Sequence, residues 1–302
     1  MAKKKLEFRE DGFRILQMTD MHIDPSKKKI VEYYQMLNKM VEHTRPDLLF
    51  FTGDIVTSPN ALDGWCMFKE WLDKTGIPFA FVMGNHDPEY IHDKDSIYQC
   101  LSRSPYCSSH YRIDEISEKN AYVLPIYNKG QIAWTLFGVD SGSMSTDESV
   151  DGYDWVKTQT IRKVYQQVEQ LEKNNPVSKL MFLHIPVPEY AMATKKRYRD
   201  FPILGHHWEK VCCPNINSGL FYCLWSTHFK GVFAGHDHDN DYVAQMYGVP
   251  LIYGRRTGKG TCYGKLRMGA RVIDLNSDGS YYTWVIDRKL KRSNRQLLPM
   301  IK

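Results

Sequence analysis

Short runs of β-branched and aromatic residues alternate with amphipathic stretches through the first third of the chain. Phe13 to Met18 reads as a strand that ends at Asp20. From Lys29 to His43, apolar residues recur at Ile30, Tyr33/Tyr34, Leu37 and Val41, which is a helical period, and Pro46 stops the helix. Leu48 to Thr52 is the next strand and ends at Asp54. Leu62 to Lys74 places Trp65, Phe68 and Leu72 on one helix face. Gly76 and Pro78 end that helix, and a strand from Phe79 to Met83 runs into Asn85. Alternation of strand and helix predicts a parallel sheet.

The middle of the chain is less regular. Ala121 to Pro125 and Ile132 to Val139 read as paired strands with Asn128-Lys129-Gly130 as the turn. Trp155 to Leu171 is the clearest helix, with Ile161, Val164/Tyr165, Val168 and Leu171 in period. Lys179 to Leu183 is a strand ending at His184. Gly219 to Thr227 reads as a short helix, and Lys230 to Ala234 as a strand ending at Gly235-His236. Strands alone follow: Tyr242 to Met246, Pro250 to Tyr253, Ala270 to Leu275 and Tyr281 to Ile286, the last two joined by a turn over Asn276-Ser277-Asp278-Gly279. Residues 89–120 and 189–215 are the least patterned, and read as excursions over the surface near the site. With no repeat or linker, residues 1–302 read as one domain.

Composition adds bounds. Apolar residues make up 42% and charged residues 25%, as in ordinary globular proteins. The seven cysteines are odd in number and lack a framework spacing, which argues against a disulfide scaffold and for a reducing compartment. Cys100 and Cys107 are the pair that would bridge after export. Cys212-Cys213 is vicinal, where a bridge is strained, and no Cys-x-x-Cys supports a thiolate metal site. No secretory signal follows the basic N-terminus, and no run approaches the roughly 18 apolar residues of a membrane span. The expectation is a cytoplasmic protein that does not enter a membrane. The net charge of +5 collects at Lys27-Lys28-Lys29, at Lys195-Lys196-Arg197 with Arg199, and from Arg288 to Arg295. Such clusters attract anionic substrates or nucleic acid. None interleaves with aromatics in a nucleic-acid motif, so they read as solvated faces.

Five polar clusters carry the chemistry: Asp20-Met21-His22, Gly53-Asp54, Gly84-Asn85-His86-Asp87, His184, and Gly235-His236-Asp237-His238. Each lies just past the end of an expected strand, where loops converge in open α/β sheets. Singly, each has a plain structural reading, as a turn or a packed histidine. Together and in order they supply enough oxygen and nitrogen donors for two metal ions, a device for cleaving phosphate esters. Imidazole, carboxylate and amide donors without sulfur suit Mn, Fe, Zn or Ni better than Ca or Mg. Asp54 is a natural bridging carboxylate, and a water between two such ions ionises near neutral pH and becomes the nucleophile.

From Phe13 to Trp284 the motif set resembles the calcineurin-like metallophosphoesterases. That resemblance implies a four-layer α/β/β/α sandwich of two mixed sheets flanked by helices. It implies Asp20, His22 and His238 around one metal, Asn85, His184 and His236 around the other, and Asp54 between them. It implies His86 as the histidine that contacts phosphate and protonates the leaving oxygen, and Asp87 as its orienting partner. Phe182-Leu183-His184-Ile185-Pro186-Val187-Pro188-Glu189, Asn217-Ser218-Gly219 and residues 235–242 resemble a plant and fungal subgroup related to purple acid phosphatases, some of them labelled probable inactive. Purple enzymes have Asp-x-Gly where this chain has Asp20-Met21-His22, and a metal-binding tyrosine where it has Thr57. A purple charge-transfer band is therefore not expected, Fe³⁺ is less favoured, and His22 stands in for the lost ligand. Ser/Thr protein phosphatases differ at Met83 and Thr57-Ser58.

The expected function is a metallophosphoesterase with two divalent Mn, Fe or Zn ions. The expected substrate is a phosphate monoester, on a small molecule or a phosphoprotein. Arg255 and Arg256 are candidates to pair with its phosphate. Asn217 and Asp140-Ser141-Gly142 are candidates either to support the donors from behind or to wall the cleft. A phosphodiesterase or nuclease on the same residues is the first alternative, although no stacking platform for single strands is evident. A non-catalytic interaction module on the same fold is the second.

Overall fold

Thirteen strands, numbered in chain order, form two mixed sheets in the computed structural model, which describes residues 5–91, 94–109, 121–173, 175–258 and 263–300. One sheet holds β2 (Phe13–Met18), β3 (Leu48–Thr52), β4 (Phe79–Val82), β11 (Gly269–Leu275), β12 (Tyr281–Asp287) and β13 (Arg292–Leu298), in the order β13-β12-β11-β2-β3-β4. The other holds β1 (Leu6–Glu7), β5 (Ala121–Asn128), β6 (Gln131–Val139), β7 (Ser178–Phe182), β8 (Gly231–Ala234), β9 (Val243–Met246) and β10 (Val249–Tyr253), in the order β1-β5-β6-β7-β8-β10-β9. Strands β2, β3 and β4 are mutually parallel, as are β6, β7 and β8.

Alternation along the strands sorts side chains between layers. In β3, Leu48 and Phe50 face the space between the sheets, while Leu49 and Phe51 face outward. In β7, Leu180 and Phe182 face inward and Met181 outward. Every buried residue of the inner cluster comes from a strand. The outer face of the six-stranded sheet is covered by α1 (Ile30–Thr44), α2 (Ala61–Thr75) and α3 (Lys94–Ser102). The outer face of the seven-stranded sheet is covered by α4 (Thr158–Leu171), α5 (Glu189–Ala193) and α6 (Leu220–Ser226). The result is the expected α/β/β/α sandwich.

Two buried polar side chains cross between the sheets near the edge where the donors collect. Gln17 on β2 donates to Thr52 Oγ1 at 3.0 Å and to the Ala234 carbonyl at 3.3 Å. Arg271 on β11 is fully buried and donates to the carbonyls of Tyr253 and Asp241, each at 2.6 Å, and to Thr283 Oγ1. Its charge is thereby spent on carbonyl oxygens instead of solvent.

Four elements go beyond the sequence reading: β1, α3, α5 and β13. Strand β13, RSNRQLL, has mostly exposed residues and no apolar alternation, and is defined by its pairing with β12. Helix α4 begins at Thr158, because Lys157 is extended. Cys66, Cys100, Cys107, Cys212, Cys213 and Cys223 are free thiols. Cys100 and Cys107 therefore form no bridge. Among the described residues, no helix is long and apolar enough to cross a membrane.

The two sheets meet through stacked rings. Phe50 lies 3.9 Å from Phe182 between centroids, and Phe182 lies 5.0 Å from Phe233. Phe50→Ala should cost about 3–5 kcal/mol in urea unfolding, with Phe50→Leu recovering most of it.

Candidate dimetal centre

Met18, Thr52, Phe182 and Ala234 end four strands, and Asp20, Asp54, His184 and His236 each follow two residues later. A common offset from parallel strands brings the donors to one edge. Tight turns then aim them. Asp20, His22, Asp54 and His236 all have positive φ, at 51°, 45°, 51° and 78°. Non-glycine residues in this region cost of order 1 kcal/mol each and persist only when their surroundings hold them. Here the Asp20 N–H donates to the Gly53 carbonyl at 3.0 Å, and the His22 N–H to the Asp54 carbonyl at 2.9 Å. The His236 N–H donates to the Asp20 carboxylate at 3.1 Å. Gly84 is required by contact: a Cβ there would lie 2.2 Å from Asp54 Oδ1.

The donors form two buried groups, Asp20 with His22 and His238, and Asp54 with His184 and His236. Asp54 Oδ2 lies 3.3 Å from His184 Nε2 and 3.8 Å from His22 Nε2, so one oxygen faces both. Asn85 Oδ1 lies 3.0 Å from His184 Nε2. The ring nitrogens are prepared for cations. His184 Nδ1 donates to the Thr52 carbonyl at 2.7 Å, and His238 Nδ1 to the Tyr263 carbonyl at 3.1 Å. A carbonyl only accepts, so these bonds place a hydrogen on each Nδ1 and leave each Nε2 pointing inward as the nitrogen that can bind a cation in place of its proton. His22 Nε2 and His238 Nε2 face each other at 3.2 Å, and His236 Nε2 is buried with no partner. Ring nitrogens and carboxylate oxygens that converge in a closed space, with His236 Nε2 left unpartnered, fit a metal pair. Together the two clusters imply a dimetal centre.

Electrostatics point the same way. Burial would raise the Asp54 carboxyl, but the histidines around it, His184 first, pull it well below the usual carboxylate range. Burial opposes protonation of His184, yet Asp54 outweighs it and lifts that imidazole to about 10. Burial lowers His22 to about 4; burial and the neighbouring His184 lower His236 to about 3. Two uncharged histidines beside ionised carboxylates form a cavity that stabilises positive charge.

The structure corrects the expected role of Asp87. Its carboxylate does not meet the His86 ring. It accepts the backbone N–H groups of Gly84 (2.7 Å), Asp54 (3.0 Å), Ile55 (2.7 Å) and Val56 (3.2 Å). The partner of His86 Nδ1 is Glu89 Oε2, at 2.8 Å, across a turn closed by the Glu89 N–H on the His86 carbonyl. The His-x-x-Glu spacing was visible in the chain but is too common to single out. The backbone N–H of His86 donates to Asp54 Oδ1 at 2.9 Å. Thr57 also gains a role, since its Oγ1 lies 3.0 Å from His22 Nδ1.

Arg255 and Arg256 are buried, not surface residues facing phosphate. Arg255 pairs through Nε and Nη2 with Asp241 and donates to the Arg267 carbonyl. Arg256 donates to the carbonyls of Gly258 (2.7 Å) and Leu266 (2.8 Å). Both forks are occupied by the chain's own oxygens. Asn217 donates to Glu189 Oε1 at 2.7 Å and accepts the Gly219 N–H, so it braces the start of α6. Ser141 Oγ accepts the Ile185 N–H beside His184, and Asp140 accepts Lys94 Nζ at 2.8 Å. Two tyrosines that the sequence reading passed over touch the donors: Tyr153 edge-on to His236 at 4.5 Å and Tyr263 stacked on His238 at 4.8 Å.

Residues 13–240 match the family model for calcineurin-like phosphoesterases. The chain belongs to that family and is a metallophosphoesterase, a hydrolase of phosphoric esters. Among its relatives, "Probable inactive purple acid phosphatase 14" of Arabidopsis thaliana is 29% identical over 90% of this chain and 77% of its own length. "Phosphatase DCR2" of Saccharomyces cerevisiae is 26% identical over 94% of this chain and 55% of its own length. In fold, the chain is similar to a dimetal phosphatase from Danio rerio, with a TM-score of 0.61 and 12% identity over 96% of this chain and 99% of the other.

Asp87→Asn would turn an acceptor of four N–H groups into a side chain that donates toward some of them. It should lower stability by roughly 3 kcal/mol. Glu89→Gln, on an exposed pair, should leave the thermal midpoint almost unchanged. Calorimetry of the two variants side by side checks the assignment.

Proposed function

We propose that this chain is a dimetal phosphatase, with phosphate monoesters as the favoured substrates. Asp20, His22 and His238 would hold one ion, Asn85, His184 and His236 would hold the other, and Asp54 would serve both. The observation that carries the reading is the pair of adjacent buried donor clusters, with Asp54 Oδ2 facing a histidine of each and the His86 ring beside His22. The donor set favours Mn, Fe or Zn. When bound, two such ions supply Lewis acidity toward phosphate oxygens and make water more acidic.

The remaining chemistry belongs to side chains. Asp54 accepts the His86 N–H, which fixes that backbone against the cluster. The His86 ring sits 5.7 Å from that of His22 and is partly exposed, so it can reach a substrate from the solvent side. With Nδ1–H donated to Glu89, a protonated His86 offers its Nε2–H to the leaving oxygen, and the carboxylate stabilises the imidazolium. In this reading Glu89 does what the sequence assigned to Asp87.

The word "inactive" in a plant relative's name favours a second reading, a non-catalytic module. Retention of all seven donors and His86 in one place weighs against it. A phosphodiesterase or nuclease would use the same residues and differ in the cleft walls.

The test is hydrolysis of p-nitrophenyl phosphate against bis-p-nitrophenyl phosphate by protein stripped with EDTA and refilled with Mn²⁺, Fe²⁺ or Zn²⁺. Activity should return with metal, favour the monoester and vanish in Asp54→Asn. His86→Ala should keep its metal and lose about 10²–10⁴-fold in kcat. Glu89→Gln should lose roughly tenfold on p-nitrophenyl phosphate, and more on phenyl phosphate, whose leaving group needs the proton. Two bound metals without turnover of either ester would support the module.

A further inference from the structure

We propose that the cavity beside His22, between α1 and the turns before β11 and after β12, is a binding site for an organic anion with an apolar body. The cavity has a volume of about 550 Å³, within the range of small-molecule sites. It reaches His22 on one side, yet its other walls take no part in the dimetal centre.

The cavity exists because α1 is seated unevenly. Leu37, Met40 and Val41, in its second half, are buried against the sheet, whereas Ile30, Tyr33 and Met36 are only partly buried. The first turns therefore leave a space floored by Met21, Ile23, Ile30, Tyr33, Met36 and Met268. Three of these six are methionines, whose flexible thioethers adapt to apolar ligands of differing shape. The loop on the near side is already set. Asp24 Oδ1 accepts the Ser26 N–H and hydroxyl and the Ser58 hydroxyl, so no folding on binding is needed.

The mouth of the cavity is cationic, and its charges come from two of the clusters that sequence reading assigned to solvent. Lys27, Lys28 and Lys29 approach from the start of α1 and Arg288 from the end of β12. Lys27 lies 3.4 Å from Asp24. Lys28, Lys29 and Arg288 have no acidic partner among the described residues. Glu32 is the other acidic residue on the lining. Lys29, the N-cap of α1, gives no side-chain cap; the Ile30 N–H donates to the Lys27 carbonyl, and the positive end of the helix dipole lies at the same mouth. An apolar floor under unpaired cations selects an amphiphile that carries a phosphate or carboxylate. A neutral lipid satisfies only the floor, and inorganic phosphate only the rim.

The site can be tested apart from catalysis. Metal-stripped Asp54→Asn protein is titrated calorimetrically with n-octyl phosphate, n-octyl glucoside and inorganic phosphate. Octyl phosphate should bind at least about 100-fold more tightly than phosphate, through the buried chain. It should also bind more tightly than the neutral glucoside. Lys28→Glu with Arg288→Glu should weaken octyl phosphate about tenfold and leave the glucoside unchanged. Met36→Trp should fill the space and remove the gain from the octyl chain, with Met268→Trp as a second filling variant from the opposite wall. Equal binding of octyl phosphate and the glucoside, indifference to the charge reversals, or full binding in both tryptophan variants would overturn the proposal.

Discussion

One carboxylate holds the candidate centre in shape. Asp87 collects four backbone N–H groups from two chain segments, residues 54–56 after β3 and Gly84 after β4. Those turns carry Asp54, Asn85 and His86. The positive-φ turn at Gly53-Asp54 and the turn at Gly84 leave amide groups pointing into the interior, where an unpaired N–H is costly. Asp87 satisfies them together. Burial and the nearby Asp54 raise its carboxyl to about 6, the cost of packing a second acid behind the first. Gly53 and Gly84 then matter as space: a Cβ on Gly53 would come within 2.5 Å of His184 Nδ1.

A second brace stands behind the other histidines. In the run from Gly235 to Asp241, the donors alternate with acids that face away from them. Asp237 accepts the hydroxyl of Tyr253 and the Cys212 N–H. Asp239 accepts the N–H of Leu266 at 2.8 Å, and Asp241 pairs with Arg255 while its carbonyl takes Arg271. Each buried carboxylate is hydrogen-bonded, and Asp241 is paired with Arg255 as well, which lets the interior tolerate them. The acidity of this segment is thus structural, and its two histidines are presented by it.

The sheets and the seven donors were legible because both rest on local signals. Alternation over four or five residues fixes which strand faces are buried. A donor two residues past a strand end needs no distant partner to arrive at the edge. The roles of Asp87, Arg255, Arg256 and Asn217 were not legible, because each depends on a partner supplied by the tertiary structure. Arg255 reads as a cation for substrate phosphate until Asp241 is found opposite it, and Asp87 reads as a partner for its neighbour until the amides of residues 54–56 appear. Strand β13 escaped for a related reason: its composition is polar, and only Leu298, facing Tyr281, is buried. The basic clusters were read as solvent-facing because nothing in the sequence places Arg288 near Lys28.

The donors are divided between the sheets. Asp20, His22, Asp54 and Asn85 follow strands of one, and His184, His236 and His238 follow strands of the other. Each donor cluster mixes the two. A cation held by either cluster is therefore also a fastener between the halves of the sandwich, added to the stacked phenylalanines and to Gln17 and Arg271. By linkage, every tenfold rise in free metal above its dissociation constant adds about 1.4 kcal/mol per site to folding. With metal bound, its supply would set how stably the two sheets are joined, whether or not a substrate is present.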